Sequence, residues 1–474
     1  MHIPRIVISG VTSGVGKTTI AAAIMYILKR KGLQVQPFKV GPDFIDPSYH
    51  TYITGRQSRN LDTWMMGING ILECFYNASY GADIAVVEGV MGLFDGISGK
   101  DDFASTAQVA KILNSPVILV IDAGRAARSI AAIAVGFLHF DKKIKITGII
   151  LNNVAGDKHA NFIIDAFADK VKVPIIGIVK RNDKIAMIER HLGLIPACEL
   201  KEKQKRAIIQ SAKVVAEQIN LDKIKDLGRQ HRNNGNNNNN YYYYRQQLQL
   251  QQKQQKHFLN GRIKIAVAID ESFNFYYADN LDALRKQNAH LVFFSPVNDN
   301  KLPESVCGII LGGGFPEVLA DKLEKNQSMK KSILKAAENG IPIYGECGGL
   351  MYLTKSIRGY KRDQDKSRKM VGLIDADTFI SGKLTLNYTE ARSNNASIFG
   401  RIYNIRGHEF HYSKIENIAR DSKFAYSMKR GNGIYDKKDG FIVYNSMASY
   451  MHLHFSDSRL PRRLVEACVK WSRK

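Results

Sequence analysis

A short apolar run, Ile6-Val-Ile-Ser9, leads directly into Gly10-Val-Thr-Ser-Gly14-Val-Gly16-Lys17-Thr18-Thr19. A predicted helix over Thr18–Lys31 follows, with Ile20, Ile24, Ile27 and Leu28 on one face. Strand, glycine-rich turn and helix in that order commit the first part of the chain to a parallel α/β sheet whose turn grips phosphate. Glycines let backbone N–H groups curl around an anion, and the helix N-terminus adds partial positive charge. Lys17 can reach the outer phosphates, and the Thr18 hydroxyl can ligate Mg²⁺. Gly14, Gly16, Lys17, Thr18 and Thr19 are therefore candidate nucleotide-binding residues.

The same rhythm continues. Ile84–Val87, Val117–Ile121, Ile146–Leu151 and Ile175–Val179 are short and rich in Val and Ile, as strands buried on both faces should be. Between Asp226 and Asn260 the composition changes to an Asn/Tyr/Gln tract with few core formers, which reads as a tether. Beyond it Ile263–Ile269, Leu291–Phe294, Gly308–Leu311 and Ile341–Tyr344 repeat the α/β theme, followed by a less regular β-like stretch to about Phe455. The expected organisation is a domain over 1–225, a linker over 226–260 and a second α/β domain over 261–474.

Acidic partners for Lys17 and Thr18 are expected in two places. Lys39-Val-Gly-Pro-Asp43-Phe-Ile-Asp46 carries two carboxylates in a Gly/Pro loop, and Glu88 follows the strand Ile84-Ala-Val-Val87 where it enters Gly89-Val-Met-Gly92-Leu-Phe-Asp95. Ligands of parallel α/β sheets gather at such carboxyl ends. Mg²⁺ takes a few protein oxygens and keeps waters and phosphates, so Thr18, Asp43 and Glu88 form a candidate metal set. Asp46 and Asp95 serve equally well as turn or helix-cap residues.

In the second half, Ile341-Pro-Ile-Tyr344 enters Gly345-Glu-Cys347-Gly-Gly-Leu-Met-Tyr352, the layout of a nucleophile elbow with Cys347 at its apex. A base must complete such a site. Two histidine clusters are available, His408-Glu-Phe-His411 and His452-Leu-His454, and Gly312-Gly313-Gly314 offers backbone N–H groups for an oxyanion.

Composition excludes several classes. Apolar residues at 45% and charged residues at 24% suit a folded globular chain. No run of about 18 apolar residues and no basic-then-apolar leader is present, which reads as cytoplasmic, with no membrane partner. Cys74, Cys198, Cys307, Cys347 and Cys468 are scattered without CxxC spacing, so free thiols are expected. The net charge of +24 would draw polyanions, yet no nucleic-acid-binding motif accompanies it; a polycarboxylate substrate or solvated basic faces account for it equally.

One residue more separates Gly10 from Gly16 than in the common phosphate loop, and this longer loop resembles the dethiobiotin-synthetase-like branch of P-loop NTPase-like folds. Both halves together resemble the cobyrinic acid a,c-diamide synthase family, through GVTSGVGKTT, FKVGPDFIDPSYH, NLDTWM, VVEGVMGLFDG, ILNNV, GGGFPE, YGECGGLMYL, GHEFHYS and ASYMHLHF. The resemblance implies a dethiobiotin-synthetase-like parallel-sheet domain joined to a class I glutamine amidotransferase-like α/β domain. It implies ATP and Mg²⁺ as cofactors, a corrinoid polycarboxylate and L-glutamine as substrates, and amidation of the a and c carboxylates through acyl phosphates. Cys347 would attack glutamine and His452 would raise its nucleophilicity, while His408, His411 and His454 orient substrate or pack; no carboxylate third member is implied. Asp43, Asp46 and Glu88 match acids tied to metal binding and, for Asp46, substrate activation; Asn152 would read adenine, with Asn153 as competitor. Hydrogenobyrinate and nickel sirohydrochlorin are alternative substrates, a partitioning-type ATPase with a degenerate second domain is the alternative class, and a homodimer is among the assemblies allowed.

Overall fold

Alternation along the first strand decides the architecture of the first half: Val7 packs into one apolar cluster, Ile6 and Ile8 into another on the opposite face. Val117, Leu119 and Ile121 divide from Ile118 and Val120 in the same way. A strand apolar on both faces must be covered on both, the arrangement a parallel sheet between two helical layers provides. The computed structural model describes residues 3–182, 200–230, 263–359 and 366–473, together with the backbone of 189–190 and 193–194. The chain forms two compact units, Met1–Gln251 and Gln252–Lys474.

The first unit is built on β1 (Arg5–Gly10), β2 (Val35–Val40), β3 (Arg59–Leu61), β4 (Ile84–Gly92), β5 (Val117–Asp122), β6 (Ile146–Val154) and β7 (Ile175–Lys180). They pair in the order β3-β2-β4-β1-β5-β6-β7, parallel throughout. The predicted strands and the helix Lys17–Arg30 are present. β2 is the strand that the loop at Asp43 was expected to follow, without bounds; β3 had no expectation behind it. Pro37 lies inside β2, and a proline ordinarily argues against a strand; here it stands one residue before the pairing with β3 begins at Phe38. A small hairpin, β8 (Glu189–Arg190) with β9 (Gly193–Leu194), follows.

In the second unit β10 (Ile263–Ala268), β11 (Ala289–Phe294), β12 (Gly308–Leu311), β13 (Ile343–Glu346) and β20 (Ser446–Ser449) are parallel. The sheet continues through β19 (Lys438–Val443), β18 (Lys423–Arg430), β16 (Ile374–Ser393), β14 (Thr354–Arg358) and β15 (Arg368–Lys369). The less regular β-like stretch resolves into a long antiparallel pair, β16 with β17 (Ile405–Glu416), and β17 also pairs with the two-residue β21 (His452–Leu453).

The residues expected to begin the linker, 226–230, instead finish a helix, Leu221–Gln230; its Ile224 and Leu227 pack on the first unit, so apolar anchoring extends past the compositional break. The remainder of the tract, and Cys198, lie outside the described residues. Cys74, Cys307, Cys347 and Cys468 are free thiols. Among the described residues, no helix is long and apolar enough to cross a membrane.

Candidate active sites

The first site forms where β1, β2 and β4 end. Gly16 has φ +90°, a conformation side chains rarely adopt, and a Cβ there would collide with the Asn152 amide. That amide donates to the Val15 carbonyl at 2.9 Å, so Asn152 holds the loop itself. Asn153, expected as its competitor, donates to Asp122 at 3.1 Å. Lys17 Nζ donates to the Thr12 carbonyl at 3.0 Å, and burial, then the charge of Lys39, pushes its ammonium below its ordinary range.

Register sets the acids. Lys39 of β2 is the direct neighbour of Glu88 of β4, and Ile8 of β1 flanks Glu88 on the other side. Glu88 is fully buried, and each of its oxygens is engaged. Oε1 accepts from Thr18 Oγ1 at 2.7 Å and from Lys39 Nζ at 2.8 Å; Oε2 accepts from His50 Nε2 at 2.6 Å. Asp46 joins the same centre, its Oδ2 lying 2.5 Å from Lys39 Nζ and 3.3 Å from Thr18 Oγ1. Burial works against the Lys39 charge, but Asp46, Glu88 and Asp43 more than offset it and hold the ammonium above its usual range. Burial likewise opposes ionisation of Glu88, yet Lys39 and His50 keep it below the usual carboxylate range. Asp46 is the carboxyl driven upward, by burial and then by the charge of Asp43.

Asp43 stands a step back from the expected metal set. Its Oδ1 accepts from the backbone N–H of Ile45 and Asp46 at 2.8 and 3.1 Å, starting the helix Ile45–Thr54, and its Oδ2 is 3.8 Å from Lys39 Nζ. Asp46, read from the resemblance as a substrate-activating acid, is the one that meets Thr18 and Glu88. Asp95 acts as a turn residue, accepting from the Gly92 N–H at 2.7 Å. Sequence reasoning passed over Lys39 and His50. A signal was present for His50: four residues from Asp46, it falls on the same helix face.

The second site is the elbow between β13 and the helix Gly348–Leu353. Cys347 has φ 46° and ψ −95°, the strained backbone expected of an elbow nucleophile. Its N–H donates to the Ser449 carbonyl at 2.7 Å, and the Gly349 N–H donates to the Gly312 carbonyl at 3.0 Å. A Cβ on Gly349 would run into the Leu311 carbonyl, so only glycine permits this approach. The thiol donates to the Phe410 carbonyl at 3.6 Å. Burial, then the charges of Glu317 and Glu346, push the thiol well above its ordinary range.

The cavity at the sulfur is lined by Phe275, Gly314, Glu317, His411 and Tyr412 among others. His411 stacks on the Tyr450 ring at 3.7 Å and donates from Nδ1 to the Ser413 carbonyl at 2.9 Å, leaving Nε2 without a hydrogen-bond partner. Burial pushes it down to about 4, so it is neutral at pH 7. His452 does not line that cavity; its Nδ1 faces Glu346 Oε2 at 3.6 Å and its ring stacks on His408 at 4.8 Å. Glu346 also accepts from Tyr344 at 2.5 Å and from the Leu453 N–H at 3.0 Å, a carboxylate beside the expected base that sequence reasoning did not supply. The sequence reading left it in the turn at the elbow, whereas it ends the strand Ile343–Glu346. Of the proposed oxyanion donors, Gly314 borders the thiol cavity, and Gly313 lies so near His452 that a Cβ would touch its ring.

Residues 6–195 match a family model described as a CobQ/CobB/MinD/ParA nucleotide binding domain, and residues 264–460 match a CobB/CobQ-like glutamine amidotransferase domain. Curated relatives align over almost the whole chain. A cobyrinate a,c-diamide synthase of Methanosarcina barkeri is 41% identical over 96% of this chain and 93% of its own length. The protein of the same name from Picrophilus torridus is 40% identical over 99% of both chains, and that from Listeria innocua is 39% identical over 95% and 96%.

Proposed function

The chain belongs to the cobyrinate a,c-diamide synthase family, and from that premise we propose that it amidates the a and c carboxylates of cobyrinic acid, consuming ATP and glutamine. One observation carries the reading: a single chain builds both a phosphate loop faced by Lys39, Asp46 and Glu88 and a strained cysteine elbow with an imidazole, His411, in its cavity. Neither centre alone would make an amide from an acid with glutamine as the nitrogen source.

The chemistry explains why both are needed. A carboxylate is a poor electrophile with a poor leaving group. Attack of its oxygen on the terminal phosphorus of ATP releases ADP and leaves an acyl phosphate. Ammonia then adds to the acyl carbon, phosphate departs, and the amide forms. Lys17 and the loop amides offset the charge on the transferred phosphoryl group. Lys39 supplies a fixed cation among acids that would otherwise repel an anionic substrate. Thr18 Oγ1 lies 3.3 Å from an Asp46 oxygen and 2.7 Å from a Glu88 oxygen, a donor set that suits Mg²⁺, which would neutralise phosphate charge there.

At the elbow, Cys347 Sγ attacks the side-chain carbonyl of glutamine while its proton passes to a base and on to the departing ammonia; water then releases glutamate from the thioester. We assign the base to His452, with Glu346 holding its ring. Because burial and two carboxylates keep the free thiol protonated, it ionises only as the substrate and base come together, which restrains idle glutamine hydrolysis. Cytoplasm supplies ATP and glutamine together, and we place the reaction there.

The test is direct: purified protein is given ATP, Mg²⁺ and glutamine with cobyrinate, hydrogenobyrinate or nickel sirohydrochlorin in parallel, and products are followed by mass. Cobyrinate diamide as the fastest product supports the reading. Preference for either other macrocycle replaces the substrate while keeping the chemistry, and ATP hydrolysis without amidation in all three overturns it.

A further inference from the structure

We infer that His50 is a positioning residue for the nucleotide site, acting through Glu88. This rests on the reading of that centre as the place where phosphoryl transfer occurs. Glu88 stands between two sets of partners. Its Oε1 serves Thr18 and Lys39 at 2.7 and 2.8 Å, and its Oε2 is taken by His50 Nε2 at 2.6 Å. Both side chains of the His50–Glu88 pair are fully excluded from solvent, so no water competes for that oxygen. A glutamate carboxylate can rotate about its last torsion, which is broad. One short charge-assisted bond on Oε2 removes that freedom and keeps Oε1 aimed at Thr18.

His50 is itself fixed. It lies on the helix Ile45–Thr54, one turn beyond Asp46, so a single helix delivers both an acid and the imidazole that orients the neighbouring acid. Its carbonyl accepts from Thr54 Oγ1 at 2.7 Å, and Ser58 Oγ lies 3.5 Å from its Nδ1. The bond to an acceptor-only carboxylate requires the proton on Nε2. This is the relation by which outer residues hold metal-binding carboxylates, whose loss typically costs ~10–100-fold in affinity or activity.

The experiment measures Mg²⁺-dependent ADP binding to the full chain by calorimetry, with melting temperature followed in parallel. His50→Asn cannot reach Glu88, whereas the amide of His50→Gln can place an N–H where Nε2 stood. The Asn variant is expected to bind about tenfold more weakly or worse, and the Gln variant within about threefold of wild type. In a Glu88→Gln background, His50→Asn should add nothing, because the two act as one unit. A folded Gln variant as weak as Asn, an Asn variant that binds like wild type, or additive effects of the two substitutions would each overturn the inference. If Asn fails to fold, the Gln variant and its Glu88→Gln combination still decide it. Nucleotide binding is read without corrinoid, so a wrong macrocycle assignment leaves this result standing.

Discussion

Lys39 and Glu88 are direct neighbours on adjacent parallel strands, and their buried side chains meet at 2.8 Å, inside a group that also contains Asp46 and Asp43. Lys39, the ammonium that meets Glu88, is therefore built into the sheet beside it. Position in the sheet, more than loop flexibility, determines where this positive charge sits.

Lys39→Met should leave buried carboxylates without their counter-charge and destabilise the first unit by ~3–5 kcal/mol. ATP-dependent amidation should fall steeply while glutamine hydrolysis at the elbow persists. Calorimetric melting beside the two activity assays checks this; unchanged melting would mean the acids are already neutral.

Cys347→Ala should remove glutamine-dependent amidation and retain amidation with free ammonium, because acyl phosphate formation needs only the first site. Loss of both activities in a folded variant would remove Cys347 from the role of nucleophile.

Asn152→Ala deletes the 2.9 Å bond to the Val15 carbonyl. A single hydrogen bond of this kind is worth about 1 kcal/mol, so ATP affinity should drop about fivefold with the fold intact. Equal losses for ATP and GTP would mark Asn152 as a loop support; a loss confined to ATP would restore the adenine-reading role the resemblance implied.

Stability of the second unit should depend on pH through His411. Burial lowers its folded value to about 4 against an ordinary 6.5, so folding excludes a proton that the unfolded chain would bind. The contribution is complete above pH 6.5 and declines as pH falls from there toward 4, by about 3 kcal/mol in all. Urea midpoints of wild type and His411→Gln, compared between pH 7.5 and 4.5, should show a shallower acid slope in the variant. Parallel slopes would rule out His411 as the source.

Much of this was legible before folding, because local chemistry carried it. The loop from Gly10 to Thr19, the strands with Val and Ile on both faces, and the elbow at Cys347 each need only residues adjacent in the chain. The extent of β2 was not legible: Pro37 contradicts the propensity of its own strand, and only the late start of the β3 pairing makes it tolerable. The elbow's strain was legible from its glycines, but its electrostatics were not, since Glu317, Phe410 and His411 come from distant segments.

Sequence alone determined that this chain holds a phosphate-gripping turn in one half and a cysteine elbow in the other, because hydrogen bonding and backbone freedom at those places are set within a dozen residues. Tertiary structure alone decided which side chains share a charge. Lys39, His50 and Glu88 are separated by up to 49 positions, and only parallel register and one helix face bring Lys39 and His50 within 3 Å of Glu88. In the same way, it is the packing of β17 beside the elbow that puts His411 in the thiol's cavity and leaves His452 facing Glu346. Coulomb and desolvation energies act through space, so they become readable only once the chain has closed on itself.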